Sequence, residues 1–158
     1  MVPGAAPGVL AILEAARRLG DAFVARELEW TLAAAELAGA GRCDVNEALL
    51  AWLEREAAAA ELSVLSLNSP VAVDRALARA GLARRVAWVL GRGDVRPKPD
   101  PQGLELLLAR HGAMPDEMLF VGDSATDEVC AAAAGVPFLH VSEIGTRWHR
   151  PGLGAAAA

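Results

Sequence analysis

Apolar residues recur at helical spacing through the first 60 residues, and short apolar runs separated by helical stretches follow. The first part therefore predicts three helices, over about 9–19, 22–38 and 45–61. Asp44 is the predicted N-cap of the third helix, because Glu47 follows at the spacing of a capping box. The second helix has apolar residues available for burial, among them Phe23, Trp30 and Leu37.

Beyond residue 61 the chain alternates between strand and helix patterns. Strands are predicted at 62–67, 86–90, 118–121 and 136–141, and helices at 71–80, 101–112 and 124–134, with Asp100 capping the second of these helices. Such alternation is typical of a parallel sheet covered by helices, the α/β class. Ligands of such sheets bind at the carboxyl ends of the strands. The polar residues predicted near those ends are Ser66 with Asn68, Lys98, and Asp123 with Asp127.

Composition narrows the functional classes. With 158 residues, 54% hydrophobic and 22% charged, the chain can form one domain with a substantial core. The net charge of −5 argues against nucleic acid or an anionic membrane as the main partner. No apolar run approaches the roughly 20 residues that span a bilayer. The two cysteines form no CxxC pair and the start has no signal-peptide pattern, so we expect a cytoplasmic protein.

Lys98 is conspicuous because arginine supplies every other basic side chain except histidine. It lies between Pro97 and Pro99, which restrict its backbone, ahead of a predicted helix. A compact ammonium group there could neutralise a phosphate or a carboxylate. The alternative is a solvated surface lysine, and the preference of this chain for arginine weakens that alternative.

Asp123 and Asp127 are separated by about one helical turn at the end of a predicted strand. Two such carboxylates suit Mg²⁺, which takes one or two protein carboxylates and keeps several waters. The alternative is that Asp123 caps the next helix and Asp127 favours its dipole. Ser66 and Asn68 follow an earlier strand, where they could hold an anion or form an ordinary turn. His111 and His140 have no spaced metal partners, so we expect them to be structural.

Together these segments resemble the haloacid dehalogenase-like (HAD) superfamily of phosphohydrolases over roughly 44–141. Residues 122–127 match its acidic metal motif GDSxxD, and 96–101 match its lysine motif at Lys98. The resemblance implies a HAD-like Rossmannoid parallel sheet, a small α-helical cap and Mg²⁺ as cofactor. We expect 1–43 to be cap-like and 44–158 to be the α/β core, with Asp123 and Asp127 as metal ligands, Lys98 catalytic, and Ser66 and Asn68 binding phosphate.

The chain also departs from the family. It contains no DxD motif, whose aspartates serve the family as nucleophile and general acid/base, and the strand that carries this motif is missing. Leu67 aligns with the phosphate-binding Ser/Thr position, unless a bulge places Ser66 there. We therefore expect a Mg²⁺-dependent phosphomonoesterase lineage without turnover by this chain. The alternative is a non-catalytic protein that binds a phosphorylated ligand or a protein partner.

The missing strand would lie between the strands at 62–67 and 118–121, which would each lose a neighbour. The two strands could pair directly, a second chain could donate a strand in a homodimer, or the sequence could be part of a longer enzyme.

Overall fold

The computed structural model describes residues 9–144. Residues 1–8 of the predicted cap-like segment and residues 145–158 of the predicted α/β core lie outside it. The helices are α1 (Val9–Arg18), α2 (Ala22–Ala40), α3 (Glu47–Glu56), α4 (Pro70–Arg79), α5 (Gln102–His111) and α6 (Ala125–Ala134). The strands are β1 (Leu62–Leu65), β2 (Val86–Leu90), β3 (Phe120–Gly122) and β4 (Phe138–His140). Short 3₁₀ helices occupy Pro115–Glu117 and Val141–Glu143. None of the helices within 9–144 combines the length and hydropathy needed to cross a membrane.

Helices α1 and α2 form a hairpin through a turn at Gly20, which has a φ of +74°. Asp21 caps α2 by accepting a hydrogen bond from the backbone of Val24 at 3.0 Å. The predicted burial of apolar residues on α2 is wrong for Phe23 and Trp30, which are 65% and 72% exposed. Two glutamates of α2, Glu29 and Glu36, instead bind Arg92, which follows β2.

The third helix is shorter than predicted. It begins at Glu47 and ends at Glu56, and its N-cap is Asn46, so the prediction of Asp44 as cap is wrong. The side chain of Asn46 accepts a hydrogen bond from the backbone of Leu49 at 3.0 Å. At the other end, Arg85 donates to the carbonyl of Ala57 at 2.9 Å, and this bond holds the segment that leads into β1.

The four strands form two parallel pairs. In one, β1 pairs with β2, and Leu65 lies opposite Leu90; in the other, β3 pairs with β4, and Phe120 lies opposite Phe138. Within the described residues β1 does not pair with β3, so the two pairs are separate half-sheets. The parallel strands and alternating helices confirm the α/β class. The direct pairing of β1 with β3, one of the three expected outcomes, does not occur in the part of the chain that the structure describes.

Helix α5 packs against both half-sheets and joins them in one hydrophobic core. Its leucines at helical spacing share one cluster with residues of β1, β2 and α6; the buried members are Leu65, Leu90, Leu104, Leu107, Leu108, Cys130, Ala131 and Val136. The predicted role of Asp100 at the start of this helix is close to what is observed: the side chain accepts from the backbone of Gln102 at 3.0 Å, and Pro101 occupies the N-cap position. The half-sheets are therefore held together by apolar packing on α5.

The loops that follow β1 and β2 contact each other closely at the carboxyl ends of these strands. Arg92 donates its backbone N–H to the carbonyl of Asn68 at 2.8 Å. A Cβ atom on Gly91 would lie 2.8 Å from that same carbonyl oxygen and 2.8 Å from Cδ of Pro70. Because neither a backbone oxygen nor a proline ring can easily move, only glycine fits at position 91.

We expect Gly91→Ala to lower the free energy of unfolding by about 1–3 kcal/mol, the usual cost of forcing an atom into a close-packed region. Chemical denaturation measures the change. The control is Gly39→Ala in α2, where an added Cβ would meet nothing within 4 Å. This control should stabilise the chain by roughly 0.5–1 kcal/mol, because alanine favours a helix over glycine. Equal effects of the two substitutions would contradict the assigned contact.

Candidate functional site

Lys98 bridges the two half-sheets at their carboxyl ends. Its Nζ donates to the carbonyl of Leu65, the last residue of β1, at 3.4 Å. The same ammonium group forms an ion pair with Oδ1 of Asp127 on α6 and lies 5.6 Å from the ring centroid of Phe120 on β3. Its side chain is only 12% exposed. The alternative of a solvated surface lysine is therefore wrong.

Asp127 is 3% exposed and has donors on both carboxylate oxygens. Oδ1 faces Lys98, and Oδ2 accepts from the hydroxyl of Ser124 at 2.7 Å and from its backbone N–H at 3.2 Å. Ser124 Oγ in turn accepts from the backbone of Asp127 at 3.2 Å, so Ser124, and not Asp123, caps α6. A Cβ on Gly122 would lie 2.7 Å from Cβ of Asp127, so the glycine of the motif makes room for this carboxylate.

The carboxyl group of Asp127 is held in its ionised form. Burial raises the pKa of Asp127, but the hydrogen bonds from Lys98 and Ser124 and the charge of Lys98 outweigh it, so the net pKa lies below the ordinary value. The buried positive charge of Lys98 is correspondingly matched by one buried negative charge.

Asp123 has a different environment. Its side chain is exposed, and no described residue donates a hydrogen bond to its carboxylate, while its backbone carbonyl accepts from Nε2 of His140 at 3.1 Å. No group of three or more His, Cys, Asp or Glu residues within 9–144 is placed to hold a metal ion. A Mg²⁺ ion that keeps most of its waters needs only one or two carboxylates, and Asp123 fits as one of them. The oxygens of Asp127 face Lys98 and Ser124 instead.

A cleft of about 640 Å³ lies between α1 and the ends of β1 and β2. Ser66, Leu67 and Lys98 line it, whereas Asn68 is not among its lining residues. Ser66 Oγ accepts from the backbone of Asn68 at 3.1 Å, which leaves the hydroxyl hydrogen of Ser66 able to donate. The structure thus brings Ser66 and Lys98 to one cleft, with Asp127 directly behind the lysine.

Arg92 is a site-adjacent residue that the sequence reasoning missed. Its buried guanidinium donates to Glu29 at 2.7 Å and to the carbonyl of Leu67 at 3.2 Å, and it pairs with Glu36. Glu36 also accepts from the backbone of Ser69 at 2.8 Å. This network joins α2 to the loop after β1. The partners lie 63 and 56 positions from Arg92, so no local spacing could indicate them.

The network also fixes the protonation of Glu36. Burial raises the pKa of Glu36, but the hydrogen bonds from Arg92 and Ser69 lower it by more than burial raises it. The net pKa is therefore below the ordinary value.

With this geometry established, comparison with known proteins identifies the class. The family model for haloacid dehalogenase-like hydrolases matches residues 42–141, and the chain belongs to this family. A crystal structure of a HAD-superfamily hydrolase, subfamily IA, variant 1, from Geobacter sulfurreducens is 32% identical, with a TM-score of 0.56, and the match covers 79% of this chain and 59% of that one. The predicted HAD-like Rossmannoid fold is confirmed.

Two relatives have names that specify an activity. The phosphoglycolate phosphatase of Rhodospirillum rubrum is 43% identical over 93 residues, which are 57% of this chain and 38% of that protein. Phosphoglycolate phosphatase 1 of Pseudomonas aeruginosa is 37% identical over 89 residues, which are 55% of this chain and 32% of that protein. The matched segment thus covers 38% and 32% of the length of these two relatives, about a third of each.

We expect Lys98→Met to lower the free energy of unfolding by about 3 kcal/mol, because it leaves the buried carboxylate of Asp127 without its counter-charge. Urea denaturation measures the loss. In the double variant Lys98→Met/Asp127→Asn the unpaired charge is gone, so part of the stability should return. If the double variant lost the sum of the two single effects, Lys98 and Asp127 would not be coupled.

The lowered pKa values of Glu36 and Asp127 also predict how stability depends on pH. Because the folded chain binds these two protons less readily than the unfolded chain, the stabilisation is fully present above the ordinary values of 4.5 and 3.8. It is lost as pH falls below those values and through the lower pKa values of the folded state. Denaturation between pH 6 and about pH 3 should show this loss. Asp127→Asn should show a shallower decline than the wild type, and an unchanged slope would contradict the assignment.

Proposed function

We propose that this chain carries the lysine and the metal-binding aspartate of a Mg²⁺-dependent phosphomonoesterase and does not by itself turn substrate over. The observation that carries the proposal is the position of Lys98, whose Nζ contacts Leu65 at the end of β1 and Asp127 at the start of α6. A buried, oriented ammonium group at the strand ends suits the stabilisation of a phosphoryl group. The names of the phosphatase relatives support a small phosphorylated metabolite as ligand.

Each residue has a distinct role in this proposal. Asp123 would hold Mg²⁺, and the bound ion would supply neutralisation of the negative charge of the phosphoryl group. Lys98 neutralises further negative charge, and Asp127 orients Lys98 while its own charge is balanced. Ser66 donates its hydroxyl to a phosphoryl oxygen from the cleft wall, and Asn68 acts through the backbone turn that it forms with Ser66.

The expectation of no turnover rests on the carboxylates around the lysine. Among the described residues, Asp127 is the acidic side chain that contacts Lys98, and it sits on a helix with both oxygens engaged. Formation of a phospho-aspartate needs a free carboxylate that can attack the phosphorus atom. This observation also favours the second candidate function, a non-catalytic protein that binds a phosphorylated ligand or a protein partner.

The separated strands β1 and β3 belong to the same proposal. Each has one edge without a strand partner within the described residues, and such edges accept an added strand. A second copy of the chain, or another polypeptide segment, would complete the sheet there. A cytoplasmic location, favoured by two cysteines that form no disulfide, is also part of the proposal.

Calorimetric titration with Mg²⁺ tests the proposed metal role. We expect Asp123→Asn to weaken Mg²⁺ binding by more than about tenfold. Removal of a residue that only orients a metal ligand already lowers metal affinity by about that factor. Asp116→Asn is the matched control, because Asp116 is also an exposed aspartate but follows α5 and not a strand end. Equal Mg²⁺ affinity of wild type and Asp123→Asn would overturn the metal role.

A phosphatase assay with 2-phosphoglycolate and p-nitrophenyl phosphate tests the proposed lack of turnover. The chain should release no phosphate above the uncatalysed rate, because the carboxylate that contacts Lys98 within residues 9–144, that of Asp127, has both oxygens engaged by Lys98 and Ser124. Inorganic phosphate, titrated in the presence of Mg²⁺, should nevertheless bind. Turnover that disappears in Asp123→Asn would show that the chain is an active enzyme and would refute this part of the proposal.

A further inference from the structure

His140, at the carboxyl end of β4, contacts the loop that carries Asp123. Its Nε2 lies 3.1 Å from the backbone oxygen of Asp123. Its Nδ1 lies 2.7 Å from the hydroxyl of Ser142 and 3.2 Å from the backbone nitrogen of Ser142. The imidazole ring therefore connects the last residues of β4 to the turn between β3 and α6.

The partners of the ring determine its tautomer. A backbone N–H can only donate, so Nδ1 of His140 accepts from Ser142 and carries no hydrogen. A carbonyl oxygen can only accept, so Nε2 carries the hydrogen and donates it to Asp123. The contacts thus require the neutral imidazole that is protonated at Nε2. Both ring nitrogens are engaged, which fixes the orientation of the ring.

The carboxylate of Asp123 depends on its backbone for its position. The side chain is exposed and has no donor among the described residues. On one side, Gly122 ends β3 and lies against Asp127; on the other, Ser124 is held in the capping box of α6. The hydrogen bond from His140 restrains the peptide between these two points, on the side facing β4.

We propose that His140 is a positioning residue for Asp123, which restrains the backbone of the aspartate and so raises its affinity for Mg²⁺. The inference rests on the proposed function, because it requires Asp123 to bind the metal. It replaces the expectation that His140 is only structural. The competing account is that His140 merely joins β4 to the following 3₁₀ helix, in which case its removal would change stability and leave metal affinity unaltered.

Mg²⁺ titration of the full chain by calorimetry separates these accounts. His140→Leu should bind Mg²⁺ about tenfold more weakly than the wild type, the usual cost of losing a partner that orients a metal ligand. His140→Gln should retain most of the affinity, because its amide N–H can still reach the carbonyl of Asp123. His111→Leu is the matched control: His111 contacts Ser63 at 2.7 Å and Glu61 at 2.8 Å, at the opposite end of β1. It should leave Mg²⁺ affinity unchanged even where it lowers stability.

Equal Mg²⁺ affinity of His140→Leu and wild type overturns the positioning role, while an effect of Asp123→Asn in the same titration keeps the proposed function. If the wild type binds no Mg²⁺, both proposals fail. Should His140→Leu not fold, ¹⁵N NMR of the wild-type imidazole during Mg²⁺ titration decides: hydrogen at Nε2 with resonances that shift as Mg²⁺ binds supports the inference, and hydrogen at Nδ1 or resonances that Mg²⁺ leaves unchanged overturn it.

Discussion

The ion pair between Lys98 and Asp127 connects the carboxyl ends of the two half-sheets, and the arrangement of the strand ends depends on it. Leu65 terminates β1, and Asp127 belongs to the helix that follows β3, so the two belong to different half-sheets. Lys98 contacts both, and its Nζ lies 5.6 Å from the ring centroid of Phe120 on β3. Helix α5 joins the half-sheets by apolar packing underneath. At the carboxyl ends of the strands the lysine supplies a polar connection between them.

A second charged network holds the helical hairpin at the same edge. Arg92 follows β2, Glu29 and Glu36 belong to α2, and the carbonyl of Leu67 belongs to the loop after β1. Burial of an unpaired charge is costly. Movement of α2 away from the loop would separate the guanidinium of Arg92 from both glutamates, so such a movement is unfavourable. The position of the hairpin and the position of the cleft wall that carries Ser66 are therefore linked.

The parts of the fold that follow from local patterns were predictable from the sequence. Strand β2 has the predicted limits, and the segments that carry Lys98 and Asp127 adopt the expected order at the strand ends, because turn and helix signals lie within a few residues of each other. The exposure of Trp30 and the network around Arg92 were not predictable. Both depend on which face of α2 meets the core, which is decided by contacts between positions about 60 residues apart.

The distribution of charge explains why we propose different roles for the two aspartates of one motif. Asp127 is buried and neutralises Lys98, so its carboxylate cannot leave the lysine without stranding a buried charge. Asp123 is exposed and unpaired within the described residues, so a cation can bind it without breaking an existing contact. The two proposed ligands, a divalent cation at Asp123 and a phosphoryl group near Lys98, have opposite charges and would also attract each other. In the proposed function, the metal and the phosphoryl group would therefore bind together more favourably than either alone.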